Sequence, residues 1–168
     1  MIWFNIRSLE EKLIRNEISE KTGYYYLLAF FIILSLALNN NDGPDIQDKY
    51  WRLADIVTGF LIMVFGLRTA FKINAKGDNR DFLKRYFSLS FVHGVRLAVL
   101  VFIIALFFNL MFEFAVEKTG LDLLNSAAGS DFKEFSIGLL FNILFYFLLI
   151  RSFKKINAGS EKEISFRR

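Results

Sequence analysis

The stretch DFLKRYFSLSFVHGVRLAVLVFIIALFFNLMFEFAV, residues 81–116, decides the fold. Its first half is basic and amphipathic, and its second half is an almost unbroken apolar, aromatic run. As one straight helix it is about 52 Å long, more than a hydrocarbon core of about 30 Å requires. The expected resolution is a cytosolic or interfacial extension over residues 81–90, with a membrane part beginning near Phe91 and ending near Phe112.

Three more apolar blocks surround it, at residues 23–38, 56–71 and 135–150. The chain has 168 residues, 54% of them apolar, with 21 Phe and a single Pro. A soluble domain spreads such residues in amphipathic periods, whereas blocks of this length suit membrane helices. The expected fold is therefore an all-α membrane protein with four transmembrane helices in a bundle. Domain organisation follows: a transmembrane domain over residues 1–155 and a flexible cytoplasmic tail over 156–168.

Before the first span, Ile2, Ile6, Leu9 and Leu13 share one arc of a helical wheel, with Glu10, Glu11, Lys12 and Arg15 away from it. Ser8 and Glu11 have the spacing of a capping box, so a short amphipathic helix is expected from Leu9. It either lies in the headgroup layer, with Trp3 and Phe4 as anchors, or packs on the cytosolic face of the bundle. Ser19 is placed to cap the first span, which opens with three tyrosines suited to a membrane interface. Ser35, Leu36 and Ala37 resemble a processing site, but the charged leader is long for a signal peptide, so an uncleaved span is expected.

The connection NNNDGPDIQDKYW reads as a turn, with Tyr50 and Trp51 as a second aromatic anchor. Gly59 and Gly66 fall on nearly one face of the second span and permit close helix approach. The segment 117–134 reads as a short surface-lying turn with a break or N-cap at Gly129, Ser130 and Asp131.

Sidedness gives the orientation. Lys and Arg number four before the first span, six from Arg68 to Arg85 and six after the fourth span. The two opposite connections carry two each, so sixteen stand against four, and the positive-inside rule places both termini in the cytoplasm. Multi-pass insertion in a bacterial inner (plasma) membrane is the expected localisation.

Chemistry is sparse. No cysteine is present, which excludes disulfides, zinc–thiolate centres and cysteine nucleophiles, and one histidine gives no metal-ligand pair. No Gly-rich phosphate loop, nucleophile elbow or EF-hand occurs. No metal, cofactor or nucleic acid is expected, and the chain reads as a non-enzyme. Charges within a membrane helix are the default candidates, because each is costly unless paired or wet. Arg85, His93 and Arg96 share a helix face, and with Arg68 and Arg151 they form the expected inner basic pocket or pore mouth. Asp55, Glu113 and Glu117 form an outer acidic level, and Asn109 and Asn142 are intramembrane polar groups expected to tie helices together.

The segments LEEKLIRNEISEKTGYYYLL and NAKGDNRDFLKRYFSLSFVHGVRL give the chain a resemblance to a group of small bacterial inner-membrane proteins. These share a short acidic–basic leader, four spans and a D/N-F-L motif entering the third. The resemblance covers most of the chain and implies no particular activity. By size and topology alone the chain also resembles membrane components of bacterial antiphage systems. The expected function is a homo-oligomeric membrane scaffold or sensor that meets anionic headgroups and a cytosolic protein partner. The alternatives are an oligomeric ion channel or membrane-permeabilising effector, and a lipid-binding or lipid-modifying protein.

Overall fold

The computed structural model describes residues 1–39, 48–119 and 127–166, with side chains for 1–35, 48–104, 106–107, 131–132 and 134–162. The described chain is all helical: α1 (Ile6–Ile14), α2 (Glu20–Asn39), α3 (Lys49–Lys76), α4 (Phe82–Thr119) and α5 (Ala127–Phe166). Three of these contain segments long and apolar enough to cross a membrane: Lys49–Lys76, Phe82–Ile104 and Glu134–Lys162.

Local signals explain most of the boundaries. Asn5 Oδ1 accepts the Ser8 amide at 3.1 Å, so α1 starts one turn earlier than the Ser8/Glu11 spacing suggested. Asn16 then adopts a left-handed conformation (φ 55°), while the Glu17 and Asn16 amides return to the Lys12 and Leu13 carbonyls. This is a Schellman stop, with asparagine where glycine is commoner. Ser19 Oγ accepts the Thr22 amide at 3.2 Å, as its capping position implied. Asp48 caps α3 through the Tyr50 amide at 2.7 Å.

Between α3 and α4 the turn spans only residues 77–81, with Asn79 and Asp81 at positive φ. Aspartate and asparagine tolerate that region better than other side-chain-bearing residues. At 38 residues α4 is about 57 Å long, so the basic entry and the apolar run do form one continuous helix.

Two expectations are corrected. The last helix continues to Phe166, and Ile156, Asn157 and Ser160 are buried, so at least residues 156–166 form helix rather than a flexible tail. Leu149, Phe153, Ile156 and Ser160 recur at steps of three and four, which continues the buried stripe past the basic run. Gly129, Ser130 and Asp131 lie inside α5, which starts at Ala127. The Asn-rich turn at 40–47 and the leucines at 121–124 lie outside the described residues.

The core gathers at one end of the helices. It consists of Leu9 and Leu13 from α1, Ile18, Tyr26 from α2, Ala70 from α3, Leu89, Phe91 and Val92 from α4, and Tyr146, Leu149, Phe153 and Ile156 from α5. Contributions from the first half of α2 and α4 and the second half of α3 and α5 make successive long helices antiparallel. Away from this end, Ile32, Phe60, Phe102, Phe107 and Leu140 are exposed, the surface a membrane helix offers to lipid.

The most extensive helix pair is α3 with α5, followed by α2 with α4, while α1 packs on both α4 and α5. Glycines set the α3–α5 approach. Asn142 Nδ2 would stand 3.9 Å from a Cβ at Gly59, and a Cβ at Gly66 would collide with the Tyr146 ring. A side chain at Gly77 would likewise meet the Asn157 amide. The expected close approach is therefore realised within one chain at Gly66, whereas at Gly59 a Cβ would make only an ordinary contact.

Gly66→Ala is expected to destabilise the protein by about 1–3 kcal/mol through overpacking. Thermal unfolding in detergent measures it. In a Tyr146→Ala background the same substitution should carry less than half that effect; equal losses in both backgrounds contradict the packing.

Candidate functional site

The amphipathic α1 buries Leu9 and Leu13, and Glu10, the neighbour of Leu9, turns inward with them. Glu10 is only 5% exposed, and its carboxylate reaches α5. Glu10 Oε1 lies 2.7 Å from Ser152 Oγ, and Oε2 pairs with Lys155 Nζ. Ser152 and Lys155 stand three apart on α5, so both face the same carboxylate. Ser152 Oγ also lies 3.0 Å from His93 Nε2 on α4.

One buried carboxylate thus ties α1 to α5, and Ser152 extends the network to α4. Its desolvation is offset by the half-exposed Lys155 ammonium and by a hydroxyl hydrogen bond. Gly159 gives α1 its seat, because a Cβ there would strike the Ile14 side chain. The extended N-terminus is fastened as well: the Ile2 amide donates to Tyr26 Oη at 2.6 Å, and that hydroxyl donates to the Ile2 carbonyl at 3.1 Å. The Trp3 ring packs edge-on against Phe91, with centroids 5.2 Å apart. The amphipathic helix packs on α4 and α5, while Trp3 and Phe4 stay about half exposed.

A second network lies at the α3–α4 turn. The Arg85 guanidinium forms a two-pronged pair with Asp78, and both side chains are buried. Arg85 Nη1 also donates to Asn74 Oδ1 at 2.9 Å, and Asn74 Nδ2 donates to the Arg80 carbonyl at 3.3 Å. Asn157 Nδ2 of α5 donates to the Ile73 carbonyl. Burial alone pushes the Asp78 carboxyl up, but the Arg85 hydrogen bonds and charge, with the Arg80 amide, outweigh it and hold the group below its ordinary value. Lys84 bridges Glu20 and Asp81 at 2.7 Å each, tying α2 to the start of α4.

The five expected basic residues are not gathered into one hydrogen-bonded set. Arg85 is occupied by Asp78, and His93 by Ser152. Arg68, Arg96 and Arg151 are exposed and carry no ion pair among the described residues. Asp55 is half-buried on α3 beside Gly138, where an added Cβ would stand 3.4 Å from Oδ1. Asn142 Nδ2 donates to the Gly138 carbonyl of its own helix at 3.0 Å, so that bond does not tie two helices. Asn109, Glu113 and Glu117 lie on α4 but outside the described side chains. Among the described residues no cluster has the makings of a metal site.

Glu10, Ser152 and Asp78 are not legible as site residues from sequence. Glu10 reads as part of a polar face, and Ser152 as part of the basic run that ends a span. No family model, curated protein or solved structure matches the chain.

Asp78→Asn leaves the buried Arg85 unpaired and is expected to cost about 3–5 kcal/mol. A carboxyl with a depressed folded pKa stabilises the fold above its unfolded value, about 3.9, and that contribution disappears as pH falls through the folded value. Denaturation followed against pH should therefore show the wild-type advantage over Asp78→Asn intact at neutral pH and shrinking below about pH 4. An advantage that is flat through that window contradicts the pairing.

Proposed function

We propose that the chain is a non-enzymatic, four-span inner-membrane protein that acts as a scaffold or sensor. Its cytoplasmic face is the end where α1 is docked. The observation that carries this reading is the coincidence of two asymmetries. The packed core and both buried charge networks lie at one end, and the same end carries the excess of Lys and Arg. The opposite halves of the helices expose aromatic and aliphatic side chains suited to lipid.

Here α2 is the fourth span, joining the three segments named above, and α1 forms a folded layer over the cytoplasmic ends of α4 and α5. A layer held by a few polar contacts suits a device that changes contact with a soluble partner. Lys76, Arg80 and Lys154 are exposed at this end and supply the basic surface for an acidic partner. Lys84, by contrast, is enclosed by Glu20 and Asp81 and is not part of that surface. A bundle of four helices fills its own centre with side chains, so any pore would need several protomers.

Single cysteines at Asn5, Asn79 and Tyr50, labelled with an impermeant maleimide in spheroplasts and in inverted vesicles, test the arrangement. Asn5→Cys and Asn79→Cys should react only in inverted vesicles and Tyr50→Cys only in spheroplasts. Labelling of Asn5→Cys from outside rejects it. Ion flux through purified protein in liposomes would replace the scaffold reading with a channel.

A further inference from the structure

The hydrogen bonds around Ser152 fix where the protons are. A hydroxyl has one proton to give, and an ionised carboxylate only accepts. With Glu10 ionised and paired to Lys155, Ser152 Oγ donates to Glu10 Oε1 across 2.7 Å. The contact between Ser152 Oγ and His93 Nε2, at 3.0 Å, then requires Nε2 to carry the proton. His93 Nδ1 is left as a bare lone pair, and it is buried without a hydrogen-bond partner. His93 itself is only 4% exposed.

A buried acceptor without a donor is costly, and such groups in native structures call for an explanation. Here the vacant lone pair ends a continuous line of exchangeable groups: imidazole, hydroxyl, carboxylate, then a half-exposed ammonium.

We infer that His93, Ser152 and Glu10 form a proton-binding relay, with His93 Nδ1 and the Glu10 carboxylate as its two proton-accepting ends. A proton arriving at Nδ1 makes an imidazolium. Nε2 passes its own proton to Ser152 Oγ as the Ser152 proton moves to Glu10 Oε1. The products are a neutral imidazole protonated on Nδ1, an intact serine hydroxyl and a carboxylic acid at Glu10. One proton has been bound, and no other group has changed its charge.

The charged groups around the relay are Glu10 from α1, Lys155 from α5 and Arg96 one turn along α4. Among the described residues no titratable side chain of α2 or α3 hydrogen-bonds to it. When the proton rests on Glu10, Lys155 loses its anionic partner, and the charge-assisted hold of α5 on α1 weakens. The relay therefore supplies a stimulus for the sensor proposed above. Its use as a signal rests on that reading, whereas its proton chemistry does not.

The sole histidine of the chain makes the test direct. Full-length protein with ¹⁵N-labelled histidine and ¹³C-labelled glutamate is placed in lipid nanodiscs and titrated from neutral to acid pH. At neutral pH the ring should show a protonated Nε2 and a pyridine-type, unprotonated Nδ1. On acidification the histidine resonances and one glutamate carboxyl resonance, absent in Glu10→Gln, should move with a shared midpoint. Ser152→Ala should separate the two midpoints, and Ser152→Thr, which keeps the hydroxyl, should rejoin them. Amide protection in α1 should fall in the acid state of the wild type and be low at all pH in Glu10→Gln. A ring protonated on Nδ1 at neutral pH, or histidine and carboxyl midpoints indifferent to Ser152→Ala and Glu10→Gln, overturns the relay. Unchanged α1 protection overturns its control of the helix. Cysteine labelling on the opposite sides would overturn the membrane arrangement alone, leaving the relay standing.

Discussion

A carboxylate taken out of water must find cations and donors or give up its charge, and Glu10 finds both on α5, where Ser152 carries the link onward to His93 of α4. That requirement organises the basic end of the molecule. α1 is nine residues long, too short to be stable alone in water. Its helicity therefore depends on docking, and docking on burying Leu9 and Leu13 while satisfying Glu10. The polar contacts set the register that the two leucines alone would leave loose. Ser152 allows Glu10 to lie against α5, and Gly159, two turns further on, leaves space for Ile14.

The same end solves a second problem with the same chemistry. Where α3 turns into α4 within five residues, side chains secure the backbone: Asn74 donates to the Arg80 carbonyl, Asn157 to the Ile73 carbonyl, and Arg85 is held between Asn74 and Asp78. The two buried charge networks are thus both placed where the helices converge. The α3–α5 seam complements this arrangement: glycine at 66 and 77 admits a phenol ring and an amide from α5. Small residues facing large ones give close contact without a water-driven apolar effect, as packing inside a bilayer demands.

Much of this was legible in the residues. Hydropathy located every long helix, Ser19 marked a cap, and the spacing of Gly59 and Gly66 identified a packing face. Helix length was less legible, because the positive-inside cluster at Arg151–Lys155 looks like a terminus although Ile156, Asn157 and Ser160 continue the buried stripe. The site was mostly hidden. His93 stood out as the single histidine in an apolar helix, but its partners lie 59 and 142 residues away along the links from His93 to Ser152 and from Ser152 to Glu10. No local pattern encodes such contacts. Arg85 stood out as a charge near a membrane boundary, and its partner Asp78 sits in a turn that reads simply as polar. Charge counting treats these residues by sign alone, whereas their roles depend on which of them are buried together.

The docking of α1 on α5 is the claim on which both the proposed sensor and the relay stand. The chain has no cysteine of its own, so a pair at Ile14 and Gly159 can be introduced without background. The smaller side chain at 14 also leaves room for a sulfur at 159, where Ile14 is now the nearest neighbour. In native membranes, Ile14→Cys with Gly159→Cys should form an intramolecular cross-link with a short bis-maleimide, seen as a compact species on denaturing gels. Failure to cross-link, while each single cysteine still reacts with a simple maleimide, would show α1 away from α5 and contradict the account.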